Sequence, residues 1–299
     1  MDVLSSFANL VPVTLVQGLL YALIALGVMI PFRLLAFPDL TSEGSFPLGG
    51  CVCGALLAAG VAPWPATGAA IAAGALAGAA TAGIHLRFRI NTLLAGILVM
   101  TILYSVNLRV LGKANVALLS NDTVLSVLSA EVVMRVGLQI VAFAVVVAAV
   151  LAALGALLRT ELGLSLRAVG ANPQLAPALR IAPWAFIVAG LAAANGLSAL
   201  AGALAVQLQG FADVHMGFGV LINGLAALII GETLVGRSNV ARQLAAPVVG
   251  SIAYYQLVSL GLALGLKPAD LKLVTGLFVL ATLALPALRR GTEPDAMRE

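Results

Sequence analysis

Residues 136–206 read VGLQIVAFAVVVAAVLAALGALL (136–158), RT, ELGLSLRAVGANPQLAPALRIAP (161–183) and WAFIVAGLAAANGLSALAGALAV (184–206). Neither apolar run contains an Asp, Glu, Lys or Arg. Each is long enough to cross a hydrocarbon core of roughly 30 Å as a helix. Two membrane-spanning helices joined by a polar island are therefore expected. Arg159, Arg167 and Arg180 give the island a basic excess, which places it on the cytoplasmic side. It is too short for a domain. It has the size of a helical hairpin lying on the membrane surface, with Leu164, Leu166, Val169 and Leu175 on an apolar side and Gly170-Ala171-Asn172-Pro173 as the break. An ordinary connecting loop is the other reading of the same residues.

The rest of the chain agrees with a membrane setting. It is 62% hydrophobic and 9% charged, with a mean hydropathy of +1.10, whereas soluble domains carry about 25% charged residues. An all-α integral membrane protein is expected, one transmembrane domain over 1–290, followed by a polar, disordered tail at 291–299. The net charge of +4 belongs to cytoplasmic anchoring, and no nucleic acid partner is expected. The start, MDVLSSFANLVP, has no basic residue, so the first apolar run is read as a retained helix rather than a signal peptide. Cys51 and Cys53 lie in an apolar stretch without further cysteines; they suit small core positions, and no metal site is expected. No nucleophile–base spacing stands out, so no catalytic residues are assigned and no enzyme is expected.

Long apolar spans are predicted at 11–32, 66–84, 92–110, 136–158, 184–206, 244–264 and 273–288, with short runs at 48–60 and 218–230. Nine crossings follow, or eight to ten if a short run is re-entrant or a further one is split. Trp64 and Trp184 fall at span ends, where interfacial anchors belong. With the N-terminus outside and the C-terminus inside, Arg33, Arg87, Arg89, Arg159, Arg167, Arg180, Arg237, Arg242, Arg289, Arg290 and Arg298 lie inside, and Arg109, Lys113, Arg135, Lys267 and Lys272 outside. Eleven against five decides that orientation. The loop at 112–135 is long enough for a short surface helix.

Phe37-Pro38-Asp39-Leu40 is similar to Phe211-Ala212-Asp213-Val214. Each follows a long span and precedes a short Gly-containing run, and the first lies inside while the second lies outside. The halves 11–111 and 183–288 thus read as an inverted-topology repeat with broken helices, flanking the island at 162–182. Paired interrupted segments at corresponding places point to a transport path, because irregular backbone at membrane depth survives only against protein or a water-filled cavity. Phe37, Asp39, Glu43, Phe211, Asp213, His215 and Asn223 are the path candidates. Each Asp could instead cap the following short helix, and His215 could be an interfacial hydrogen-bonder. His85, in a basic patch, is expected to be solvated. Glu232 pairs with Arg237 or meets a cytoplasmic partner. Gly74-x-x-x-Gly78 and Gly261-x-x-x-Gly265 serve close helix packing, within the chain or in a homodimer.

Leu166-Arg167-Ala168-Val169-Gly170-Ala171-Asn172-Pro173 resembles the cytoplasmic loop of ABC-transporter permeases of the branched-chain amino acid and ribose importer type, and residues 21–27, YALIALG, look like that family's first span. Residues 37–49 resemble a subgroup paired with a binding protein of poorly defined specificity. The resemblance implies a homodimeric permease in the bacterial inner membrane, served by an ABC ATPase and a periplasmic or lipoprotein substrate-binding protein. It implies import of a small solute, an amino acid among the candidates. It makes Leu166, Arg167, Ala168, Val169, Gly170, Asn172 and Pro173 the coupling helix that receives the ATPase. The chain itself has no P-loop motif, so ATP and Mg would be bound by the partner and no cofactor by this chain. A stand-alone secondary transporter or channel is the alternative, since an inverted repeat suits it equally well.

Overall fold

The computed structural model describes residues 3–118, 123–124, 132–267, 270, 273, 276, 277 and 280. The expected span at 273–288, isolated positions apart, lies outside the described residues, as do the tail at 291–299, Lys272 and most of the loop at 119–131. The described part is helical: α1 (Val3–Met29), α2 (Ser42–Ala58), α3 (Pro63–Phe88), α4 (Thr92–Leu111), α5 (Val132–Arg159), α6 (Glu161–Ala171), α7 (Pro183–Gln209), α8 (Val220–Val235) and α9 (Val240–Ala263). Six helices among the described residues are long and apolar enough to cross a membrane, the first continuing to Leu34. With 17 and 16 residues, α2 and α8 are shorter.

Two breaks organise the fold. Pro31 removes a backbone donor from the end of α1. The chain relaxes there into a π-helical turn, Ile30–Leu34, closed by Leu35 N–H on Ile30 O at 3.1 Å. It then runs irregularly to Thr41. The second break follows α7 and contains a feature the sequence reading lacked, a strand β2 (Phe211–Asp213). It pairs antiparallel with β1 (Asn115–Ala117), Asn115 opposite Asp213. The short run expected from 48 begins as helix at Ser42 and carries Pro47 inside it. Pro47 cannot donate to the carbonyl of Glu43, and that carbonyl is approached so closely by Gly217 that a Cβ there would collide with it.

The helix directions are legible from contacts. Gly190 meets Leu35 while Gly27 meets Ala194 and Ser198, so α1 and α7 run antiparallel. Ser45 bonds Asn195 and Gln207 bonds Cys53, so α2 runs parallel to α7. Gly224 packs on Ile24 and Val28, and Arg33 pairs with Glu232, so α8 runs parallel to α1. The helix α1 packs on α8 and α9 as α7 packs on α2 and α3. Gly74 and Gly78 face Ala199, Asn195 and Leu191 of α7; this small-residue pair packs within the chain. On α4 and α5 large apolar side chains such as Leu94, Ile102, Val141 and Val145 remain exposed, as a lipid-facing surface requires. Trp64 and Trp184 are exposed in the first turns of α3 and α7. Cys51 and Cys53 are buried core residues.

Candidate functional site

The two breaks carry the same hydrogen-bonded motif. Asp39 Oδ1 accepts from Thr41 N–H at 2.9 Å, and its Oδ2 accepts from the side-chain amide of Asn195 at 2.8 Å. Asp213 Oδ1 accepts from His215 N–H at 2.6 Å, and its Oδ2 accepts from the side-chain amide of Asn115 at 3.1 Å. Each carboxylate thus closes a turn two residues on and is clamped by an Asn from another element. Neither caps the first turn of its short helix: Asp39 lies before the N-cap Thr41, and α8 begins at Gly219–Val220, well beyond Asp213.

Their surroundings differ. Asp39 is fully buried. Asn195 there accepts from Ser45 at 2.8 Å and donates also to Leu191 O, and Thr41 meets Thr81 at 2.8 Å. Phe37 is buried too, edge-on to His85 at 5.1 Å. Rather than being solvated, His85 is half-buried, because the left-handed turn at Arg89 brings Ile90 O within 2.7 Å of its Nδ1. In the second break Asp213 keeps 32% of its side chain exposed, beside His215 at 3.3 Å. Partial desolvation works to raise the Asp213 pKa. The hydrogen bonds from His215 and Asn115, with the charge of His215, outweigh it and hold the carboxyl below its usual range.

Two clefts flank this second break, and a third adjoins them. One of about 380 Å³ is lined by Glu43, Tyr104, Asn107, His215 and Phe218, among others. A second, about 360 Å³, shares His215 and adds Asp213, Phe211, Phe46, Gln209 and Tyr21. A third, about 340 Å³, shares Tyr21 and Gln209 and adds Gln17, Gln139 and Tyr255. Together they form a seam with one carboxylate at each end of its polar part, Glu43 and Asp213, and amides and phenols beyond. Glu43 also joins the halves, its Oε1 accepting from the N–H of Gly219. Gly219 needs its left-handed conformation, φ 82°, to start α8 there. Asn223 stands apart, accepting from Tyr254 at 3.0 Å. That bond lies beside a stack in which Tyr21 sits 5.1 Å from Tyr255 and 6.0 Å from Phe46. The structure therefore brings Glu43, Phe211, Asp213 and His215 together and encloses Phe37 and Asp39 in protein. The sequence reading missed Gln17, Tyr21, Asn107, Gln139, Gln209 and Tyr255; uncharged polar residues inside apolar spans were the available signal.

At the other end of the molecule, α6 starts at the N-cap Thr160 and stops at Ala171. Asn172 accepts from Gln174 N–H at 3.0 Å and Leu175 N–H at 3.2 Å, which turns the chain into a 3₁₀ turn at Ala176–Leu179. The island is helical, as expected, but its apolar side is divided. Leu166 and Val169 are buried, whereas Leu164 and Leu175 are exposed by 63% and 61%. Leu164 lies two residues, about 200°, from Leu166 around the helix, and Leu175 follows the break. Gly170 sits on the carbonyl of Leu34, so close that a Cβ would collide with it. Arg167 bonds Leu158 O at 2.9 Å and Gly163 O at 3.3 Å, bracing the end of α5. Ala168 is half-buried, and Asn172 and Pro173 are exposed. Next to this contact Arg33 grips Glu232 with two hydrogen bonds of 2.8 and 2.7 Å, and Arg237 approaches the same carboxylate at 3.8 Å. The first partner of Glu232 is thus Arg33, from the other half, with Arg237 second.

The family model described as "Branched-chain amino acid transport system / permease component" matches residues 12–283. A tyrosine transport system permease protein of Clostridioides difficile (strain R20291) is 38% identical over 268 residues, covering 90% of this chain and 88% of that one. An uncharacterized protein of Rickettsia prowazekii (strain Madrid E) is 34% identical over 280 residues, covering 92% and 97%. No solved structure matches.

Proposed function

We propose, because the chain belongs to the family of branched-chain amino acid transport system permease components, that it is the membrane-spanning subunit of an ATP-driven importer. The chain is a multi-pass membrane permease. Its cargo is a small solute, an amino acid; the relative named as a tyrosine transport permease supports an aromatic one. Two copies form the path in the bacterial inner membrane, with the N-terminus outside and the C-terminus in the cytoplasm. A substrate-binding protein delivers the solute, and a separate ABC ATPase binds ATP and Mg. This chain supplies no catalytic residue and binds no cofactor.

The observation that carries the reading is the seating of α6. Its inner side, Gly170 with Leu166 and Val169, rests on Leu34 and Leu35 at the break after α1. Its outer side leaves Leu164, Asn172, Pro173 and Leu175 exposed for a partner. A push on that side would travel through Gly170 into the break, and from Arg33 through Glu232 into α8. The antiparallel run of α1 against α7, with partners exchanged between halves, supports an inverted repeat. Its seam, lined by Glu43, Asp213, His215 and Phe211, is the path.

Purifying the tagged chain in mild detergent and identifying its companions by mass spectrometry tests this. A stoichiometric P-loop ATPase is expected. Replacing Gly170 by Leu should then leave ATP hydrolysis and abolish uptake. A chain that purifies alone and transports under an ion gradient would contradict the reading.

A further inference from the structure

Just beneath the wall of the cleft beside Glu43 lies an unused acceptor. Asn107 of α4 is fully buried. Its amide nitrogen donates to the carbonyl of Gly44 at 3.3 Å. Because that carbonyl can only accept, the bond fixes the amide orientation. The side-chain oxygen Oδ1 is then left without a hydrogen-bond partner. Burying an acceptor unpaired is costly, and such a group calls for a donor that binds there. The cleft it lines, about 380 Å³, also holds the Glu43 carboxylate, the phenol of Tyr104 and the imidazole of His215, with Met100 and Phe218 as apolar walls. Tyr104 Oη and His215 Nε2 lie 3.4 Å apart, so these two already face each other across the rim. The acceptors left for a ligand are that amide oxygen, reached once the cleft wall gives, and the second carboxylate oxygen of Glu43, whose Oε1 already holds Gly219 N–H; both suit a cation with several N–H donors.

We infer that this cleft binds a primary ammonium group, held between Asn107 Oδ1 and the Glu43 carboxylate, with the rest of the ligand against Met100, Tyr104 and Phe218. Two sources supply that group: a free α-amino acid in transit, and the ethanolamine head group of a lipid. The first deepens the transport reading above and rests on it. The ammonium site does not, because binding can be measured on the intact chain alone.

The test is calorimetric titration of the purified full chain with tyramine and with N-acetyltyramine, which keeps the ring and lacks the ammonium. Tyramine is expected to bind about tenfold or more tighter, the usual scale for one charge-assisted hydrogen bond. Asn107→Leu should weaken tyramine about tenfold and leave N-acetyltyramine unchanged. Glu43→Gln, which keeps an acceptor for Gly219 N–H and removes the charge, should likewise weaken tyramine and leave N-acetyltyramine unchanged, and guards against a misfolded Leu variant. Equal affinities for the two probes, an unchanged Asn107→Leu, or no tyramine binding at millimolar concentration would overturn the site. Repeating the titration in phosphatidylcholine nanodiscs with and without phosphatidylethanolamine separates the sources. Loss of tyramine binding when phosphatidylethanolamine is present assigns the site to the lipid head group, and unchanged binding assigns it to the free amine. Failure to recover an ATPase would remove the transport reading and leave this result intact.

Discussion

Asp39 and Asp213 make matching hydrogen bonds in opposite settings. Each accepts from the backbone two residues on and from one Asn side chain. Yet Asp39 is sealed among Asn195, Thr41, Ser45 and Thr81, and Asp213 stands at the rim of an open seam beside His215. The local sequence dictates the turn. The partner element dictates the exposure: Asn195 of buried α7 closes over Asp39, whereas the clamp on Asp213 comes from Asn115 of the short strand β1 and leaves the carboxylate part-exposed. In an inverted repeat this is the asymmetry expected of one end closed and the other open.

The comparison can be broken most sharply at the clamping asparagines. Asn195→Leu leaves Oδ2 of the buried Asp39 carboxylate without its donor, with Thr41 N–H alone on Oδ1, and Ser45 without its acceptor. It should cost about 3 kcal/mol, read as a large drop in the thermal unfolding midpoint in detergent. Next is the ion pair between halves. Arg33→Ala leaves Glu232, only 10% exposed, with Arg237 at 3.8 Å alone, and should cost about 2 kcal/mol. Glu232→Ala leaves the 39%-exposed Arg33 free to hydrate and should cost about 1 kcal/mol or less. Asn115→Leu, the counterpart of Asn195→Leu, should cost under about 1 kcal/mol because water replaces the lost donor. The smallest effect concerns pH. The Asp213 carboxyl is held below its usual range, so its contribution is complete above that range and is lost as pH falls through the folded value. The difference in unfolding midpoint between the wild-type chain and Asp213→Asn should therefore shrink as pH drops below about 4.

Much of this was legible in the sequence. Charge-free runs long enough to span, and the Phe-x-Asp pair at 37–39 and 211–213, gave the helices and the correspondence of the two breaks, because length and turn chemistry are local properties. Exposure is not local. Nothing in residues 37–39 says that Asn195, far along the chain, will close over Asp39, or that β1 will find β2 through three residues without alternation. The same limit divided the island: Leu164 and Leu166 share a composition and not a face. Arg33 was visible as a span-ending cation, but its pairing with Glu232 needed α8 to run parallel to α1. The amides Asn107, Gln17 and Gln139 were in plain view inside apolar spans, and only the packing distinguishes the unpaired Asn107 oxygen from the satisfied Asn195.

The most direct measurement is thiol labelling at the two breaks in a chain with Cys51 and Cys53 replaced by Ala. Phe211→Cys stands at a position 41% exposed and Phe37→Cys at one 4% exposed. The account predicts that, without ATP, a membrane-permeant maleimide labels Phe211→Cys and spares Phe37→Cys, and that trapping the ATPase partner in its ATP-bound state alters both rates, in opposite directions. A Phe37→Cys that stays protected in every state of the cycle would contradict alternating exposure of the two breaks and leave Asp39 a structural clamp alone.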